Sequence, residues 1–567
     1  MTTITFLRPL PFHGDPAAPA GDWLRAILGG AGRYTVTSFT PEKVVLTGTA
    51  ESGMAGWRVE LTPVGAFAAG PPGGEPFTGA IAEVELYDAA GVLVSVITDL
   101  PASVTLASMT GGFPGLIVEL VGASGADTLT GFEGETVLDG GAGDDVLHGG
   151  PGAVSDGLVG GPGDDTLSGG GGDDFFLAGD GVDRIDGGDG EDVAFLNEVD
   201  RFVEVWLDQA APAGHLRLDG VEMVVVGEQG SRIHGGDRGE VMLGGAGIDQ
   251  MDGAGGDDAL GGLGGDDVLR GGAGDDLLEG GRGADLLDGG EGFDLADFYY
   301  FADGGLTIDL RVATAQQTGL GLDTLLNIEA LWGSDFGDSL TGSAVANVLI
   351  GEGGDDRLEG LEGDDELWGD AGADSLMGGD GDDFISDVSG ANFLRGGAGA
   401  DSITGGSGFD DAHGNEGDDT VRGGAGDDWV VGGKDNDELL GEAGGDIVYG
   451  NLGDDFVQGG DGADVVRGGQ GADIVTGGDG DDWLSGDRGD DTITGGAGND
   501  IFHGSQDAGL DRVTDFQAGD RVQLDAGTTY AVRQEGLDTV IDMGGGHMMV
   551  LVGVTLSGLP AGWIFGA

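Results

Sequence analysis

Gly459-Gly460-Asp461-Gly462-Ala463-Asp464-Val465-Val466-Arg467 is followed at once by Gly468-Gly469-Gln470-Gly471-Ala472-Asp473-Ile474-Val475-Thr476. Glycine, acid and apolar residue recur at the same offsets. Counted from its first glycine, the nine-residue pattern runs 19 times from Gly333 to His503 without a slip. Position 6 is Asp in 17 of those 19 units, with Asn347 and Asn392 in the others. Position 8 is Leu, Ile, Val or Phe in 18 of 19, the exception being Ala412. A strict period of nine points to a solenoid, in which each unit buries its apolar side chain against its neighbours.

The repeats extend upstream, and the chain divides by its period. Residues 1–121 are not repetitive and read as a small β-rich N-terminal domain. Its apolar residues alternate over Tyr34-Val36, Val44-Leu46, Trp57-Val59-Leu61 and Ile81-Val84-Leu86. Glu83–Asp88 and Val92–Thr98 read as a hairpin around Ala89-Ala90-Gly91. A first repeat block spans 122–196 and a second 235–297, separated by an interruption at 197–234. A second interruption, 298–332, precedes the long block at 333–503, and 504–567 forms a C-terminal cap. The interruptions resemble each other: Val205-Trp206-Leu207-Asp208 parallels Ile308-Asp309-Leu310. They are expected to be longer β coils of the same solenoid. The fold class is therefore all-β.

Composition narrows the function. The chain has 567 residues, 128 Gly, no Cys and a formal net charge of -82. Phosphate contacts need Lys and Arg, and Lys43 and Lys434 are the only lysines, so nucleic acid is excluded as a partner. Absence of cysteine excludes a disulfide framework and thiol-bound zinc. No run approaches 18 apolar residues, so no membrane span is expected. Met1 to Gly30 lacks a basic start followed by an apolar core, so export through a cleaved signal peptide is not expected.

The same spacing predicts a metal. Positions 7–9 should form a short strand with position 8 turned inward, and positions 1–6 a turn. Two units complete a coil, so position-6 acids two units apart stack at about the 4.8 Å strand spacing. Two carboxylates that close repel by about 3 kcal/mol at an effective dielectric of 20. A hard cation fed by carboxylates and carbonyls removes that repulsion. Calcium accepts 6–8 oxygens in flexible geometry, whereas magnesium demands a strict octahedron. The expected ligands are Asp127, Asp145, Asp165, Asp174 and Asp183 in the first block. In the second block they are Asp249, Asp258, Asp267, Asp276 and Asp285. In the long block they are Asp356, Asp365, Asp374, Asp383, Asp401, Asp410, Asp419, Asp428, Asp437, Asp446, Asp455, Asp464, Asp473, Asp482, Asp491 and Asp500. If each ion bridges units two apart, about 28 sites at most are available. Sites are expected to be weak or empty where Asn347, Asn392, Thr136 or Glu240 replaces the acid. The same holds where Phe336, Val345 or Asp435 replaces the position-4 glycine, or Asp387 the position-1 glycine. Second acids at position 5, such as Asp355 and Asp364, read as solvated charge rather than ligands.

Over about 122–567 the chain resembles the RTX (repeats-in-toxin) family. Gly509-Leu510-Asp511-Arg512-Val513-Thr514-Asp515-Phe516 and Gly519-Asp520-Arg521-Val522-Gln523-Leu524 also resemble the capping stretch of serralysin-type proteases. The resemblance implies a parallel β-roll holding rows of Ca2+. It also implies secretion by a type I system through an uncleaved C-terminal signal, and hence an extracellular or cell-surface protein.

No effector centre is visible. H-E-x-x-H, G-x-S-x-G and G-x-x-x-x-G-K-[ST] are all absent. Gly337-Asp338-Ser339-Leu340 spells an esterase-like string but falls on positions 5–8 of a repeat unit. His148, His234, His413 and His503 occupy position 9 of units and read as exposed strand residues. The sequence thus predicts a non-enzymatic, calcium-binding, surface-associated protein whose partner is cell-surface polysaccharide or a second copy of itself. The alternative is a secreted enzyme of polysaccharide or lipid chemistry, its centre within residues 1–121.

Overall fold

The structure, a computed structural model, describes residues 122–566 apart from 123–124, 132–134, 197–201, 209–210, 213–214 and 507. Before residue 122 it describes the backbone of seven strands. The chain divides into two units, residues 1–274 and 275–567.

An apolar residue at position 8 flanked by turn-forming glycines gives a strand whose side chains alternate inward and outward. In the second unit Ile447–Leu452, Val465–Gln470 and Trp483–Arg488 stack parallel, Val465 opposite Ile447 and Trp483. The intervening units form the opposite sheet, where Phe456–Asp461, Ile474–Asp479 and Thr492–Ala497 stack in the same way. Val448, Val457, Val466, Val475, Leu484, Ile493 and Phe502 fill the space between the sheets, and none has any exposed surface. Parallel sheets buried on their inner face are one stable way for a repeated strand to hide a single apolar side chain.

Most strands of the long block are longer than the expected three residues. They continue from positions 7–9 through positions 1–3 of the next unit, as in Val465–Gln470. Each rung keeps its hydrogen bonds to the next around the bend: Gly453 N–H donates to the Gln470 carbonyl at 2.9 Å and Gly471 N–H to that of Arg488 at 2.9 Å. Pairing of like with like, rung after rung, lets a bent backbone stay satisfied.

In the first unit the interruption is an inserted coil. Leu216–Asp219 lies between Arg184–Asp189 and Val203–Leu207, parallel to both. Met223–Val226 continues the other sheet from Val193–Leu196. On the outer side of that sheet Val193, Met223 and Val225 form a further apolar cluster with Phe175, Phe195, Val241 and Leu243. In the second unit Leu322–Leu326 stacks on Leu286–Glu291, and Ala330–Ser334 on Leu295–Asp297. Thr307–Asp309 starts a new sheet with Ser339–Thr341.

The C-terminal segment changes to antiparallel pairing. Ala531–Glu535, Asp538–Gly544 and His547–Leu551 form a meander, and the last of these joins the roll beside Leu510–Val513. Phe516, Val522, Ile541, Met549 and Leu551 are buried there. Upstream, Tyr34–Thr40, Lys43–Gly48 and Arg58–Leu61 pair antiparallel, as do Val84–Tyr87 and Leu93–Ile97. The enzyme centre considered for residues 1–121 concerns side chains outside the described residues. Among the described residues no helix is long and apolar enough to cross a membrane.

Candidate metal centres

The position-6 acids are brought together in rows, and every ligand expected from the sequence is buried. In the second unit Asp356, Asp374, Asp410, Asp428, Asp446, Asp464, Asp482 and Asp500 share one edge. Asp365, Asp383, Asp401, Asp419, Asp437, Asp455, Asp473 and Asp491 share the other. Asp276 and Asp285 bond onward to Asp294 and Asp323. In the first unit Asp127, Asp145, Asp165 and Asp183 form one row, while Asp174 lies between Asp156 and Asp192. Asp249 bonds to Asp267, and Asp258 to Glu240.

One hydrogen bond builds each row. The backbone N–H of one acid donates to Oδ1 of its counterpart a coil further on, at 2.8 Å from Asp446 to Asp464 and 2.9 Å from Asp455 to Asp473. The other oxygen is left over. Oδ2 of Asp401, Asp419, Asp446, Asp464 and Asp482 is buried and accepts no hydrogen bond from the protein. The same holds along most of both rows. A buried carboxylate oxygen without a donor is costly.

That oxygen faces a second one. A Cβ placed on Gly450 would lie 2.3 Å from Asp455 Oδ2 and 2.3 Å from the Gly468 carbonyl oxygen of the next rung. One carboxylate oxygen and one carbonyl oxygen thus face a single small space, kept open because position 1 has no side chain. Among the described residues no three His, Cys, Asp or Glu side chains are placed to hold one metal ion between them. One carboxylate oxygen and one backbone carbonyl oxygen facing the same space make a donor set that would suit a hard, flexible-geometry cation.

Electrostatics agree. Burial pushes Asp401 and Asp437 up to about 8, and Asp356, Asp365, Asp473 and Asp482 up to about 7. The N–H from the preceding rung partly opposes the rise, and the carboxylates stacked above and below add to it. A cation in the shared space would hold these groups ionised.

Some turns close without one. Ser334 donates its N–H and hydroxyl to Asp338, and Gly236 N–H donates to Glu240. Thr136 donates its hydroxyl to Asp156 Oδ1. Asp192 and Asp294, absent from the ligand set read from the sequence, lie in the rows with an unbonded Oδ2. Asp323, Asp511 and Asp520 extend the rows beyond the repeat blocks and are buried. Their signal was present: each stands two residues before an inward apolar side chain, as in Gly321-Leu322-Asp323-Thr324-Leu325. The position-5 acids form a second ladder. Oδ1 of Asp382 accepts Ala400 N–H at 2.8 Å, and that of Asp454 accepts Ala472 N–H at 2.7 Å. Asn436 does the same for Asp454 N–H at 2.8 Å, so this role needs an acceptor rather than a charge.

The family model for the RTX calcium-binding nonapeptide repeat (4 copies) matches residues 121–153, 159–194, 234–296 and 332–510 in overlapping copies, more than half of the chain. The chain belongs to the RTX calcium-binding repeat family. No curated protein matches this RTX chain. Among solved structures, extracellular lipase LipA from Serratia marcescens is 16% identical over 67% of this chain and 45% of that chain, with a TM-score of 0.12. The RTX chain thus spans less than half of that lipase, and an overlap this low supports no comparison of fold or activity.

Proposed function

We propose that this protein is a secreted, non-enzymatic β-roll that folds when it meets calcium outside the cell and then serves as surface-associated or adhesive material. The observation that carries this reading is the repeated unbonded Oδ2 facing the carbonyl of the next rung. One apolar side chain per nine residues is a thin core to set against chain entropy. Ion binding therefore supplies the folding free energy, as in other metal-dependent domains. Low cytosolic calcium would keep the chain threadable for a type I exporter reading its C-terminal segment. Affinities in the extracellular range, about 10⁻⁴ to 10⁻³ M, suit that cycle.

A far-UV circular dichroism titration of the full chain tests it. The β signal should appear with calcium and vanish in chelator; a full β spectrum in excess chelator overturns the reading.

The outer face of one sheet supports polysaccharide as the partner. From Phe393 to His503 its outward side chains include Phe393, Trp429, Ile447, Tyr449, Trp483 and Ile501, and its strands also carry the acids Asp411, Glu416 and Asp487. Trp429 is 41% exposed and Phe393 likewise 41%. Rungs recur at about 4.8 Å, close to the length of one sugar ring, so a polysaccharide laid along the sheet could stack on these rings. With about 28 ions bound, about 26 of the 82 negative charges would remain, and these oppose self-association. Calcium-dependent retention on polysaccharide should fall at least tenfold in Trp429→Ala/Trp483→Ala; unchanged retention overturns this choice of partner.

A further inference from the structure

Two units of the long block carry asparagine at position 6, and they differ. At Asn347 the turn closes on itself. Its Oδ1 accepts the N–H of Ser343 at 2.6 Å, and its Nδ2 donates to the Glu329 carbonyl at 2.9 Å. At Asn392 the Oδ1 accepts Asp374 N–H at 2.9 Å, as an aspartate would, so the ladder continues. What is lost is the second carboxylate oxygen and its charge.

The unit that contains Asn392 begins with Asp387, where the other 18 of the long block begin with glycine. Asp387 is 3% exposed, and its Oδ1 accepts Ser389 N–H at 2.8 Å. Its Oδ2 is buried and accepts no hydrogen bond. That oxygen has a definite aim. A Cβ placed on Gly369 would lie 2.2 Å from Asp387 Oδ2 and 2.9 Å from Asp374 Oδ2. At a regular turn the same construction on Gly360 meets Asp365 Oδ2 at 2.3 Å and the Gly378 carbonyl oxygen at 2.8 Å. Asp387 thus brings a carboxylate oxygen to the space that elsewhere receives a position-1 carbonyl. Asp355, Asp370 and Asp410 are charged neighbours of the pair, and all are acids.

We propose that Asp387 is a metal ligand that, with Asp374, forms a two-carboxylate calcium site and replaces the charge missing at Asn392. The acid has moved from position 6 to position 1 within one unit. Two buried carboxylates sharing one space repel unless a proton or a cation lies between them; Asp374 and Asp387 can share a proton as a side-chain hydrogen bond, and a cation would take that proton's place. The site rests on the calcium reading of the rows. It lies at the Gly369 turn, one coil from the turn that begins with Asp387, and so leaves the sequence expectation for that turn as it stands.

The test is the number of calcium ions retained at saturation by the full-length chain, counted by native mass spectrometry. Asp387→Gly should lose one ion, and Asp387→Gly/Asn392→Asp should regain it. Asp387→Asn keeps the side chain's size and should also lose one ion while its circular dichroism stays that of the calcium-bound parent. This variant covers the case in which the glycine variant does not fold. An unchanged count in Asp387→Asn, with the parent chain fully loaded, overturns this site alone. A parent chain that retains no calcium overturns it together with the reading on which it rests.

Discussion

At the scale of single residues, the position-1 glycine keeps open a space between two oxygens. Its missing side chain leaves the gap where Asp455 Oδ2 and the Gly468 carbonyl oxygen meet, each 2.3 Å from where a Gly450 Cβ would lie. Gly450→Ala should therefore drop one ion and cost about 1–3 kcal/mol in calcium, the range for overpacking a tight site. Gly157→Ala is the control. A Cβ there meets only Val137 methyls at 3.7 Å or beyond, so stability should stay within about 0.5 kcal/mol. Thermal melts in saturating calcium compare the two, and equal shifts would remove the special role of position 1. Position 2 makes a different demand. Leu361 holds φ at 89°, a region L residues occupy at a cost of about 1–2 kcal/mol. Leu361→Gly should accordingly raise the midpoint of chemical denaturation, and a lowered midpoint would show that the leucine side chain outweighs its strain.

At the scale of the element, the rung is governed by its inward residue and its backbone ladder. Val466 has no exposed surface and packs in line with Val448 and Leu484. Val466→Ala should cost about 1–3 kcal/mol from lost burial and the cavity left behind; a melt unchanged in calcium would mean that the ions alone hold the rung. The rung was legible in the sequence because its signals are local and repeated: Gly at 1 and 4, Asp at 6, an apolar residue at 8. Its length was not. Strand pairing at positions 1–3 depends on hydrogen bonds to a rung 18 residues away, as between Gly469 and Asn451, and glycine-rich composition gives no local sign of that. The same limit explains the ligand set. Asp192 and Asp294 end the first two blocks, and their rows run on to Glu222 and Glu329 through hydrogen bonds 30 and 35 residues apart, which no local period shows. Asp387 looked like a defect because its carboxylate serves the neighbouring rung rather than its own.

At the scale of the molecule, the stacked acids set how folding responds to protons and to calcium. An aspartate unfolded titrates near 3.9. In the folded, metal-free chain burial raises Asp401 and Asp437 to about 8, and Asp356, Asp365, Asp473 and Asp482 to about 7. The folded state therefore binds protons that the unfolded state does not, between about pH 4 and pH 8. The sign follows: without calcium, the fold is favoured as pH falls through that window and is lost as pH rises through it. A net charge of -82 acts in the same direction, because acid also relieves general repulsion. Salt separates the two. At about 1 M ionic strength the screening length is about 3 Å, which suppresses repulsion between exposed acids while leaving the buried rows largely unscreened. In chelator and high salt, β content measured by circular dichroism should still rise on going from pH 8 to pH 4.5. With saturating calcium it should already be complete at pH 8, because the ions occupy the place the protons would take, and acidification should then release them. If high salt abolished the acid-induced gain in chelator, surface repulsion rather than the buried Asp rows would control the fold.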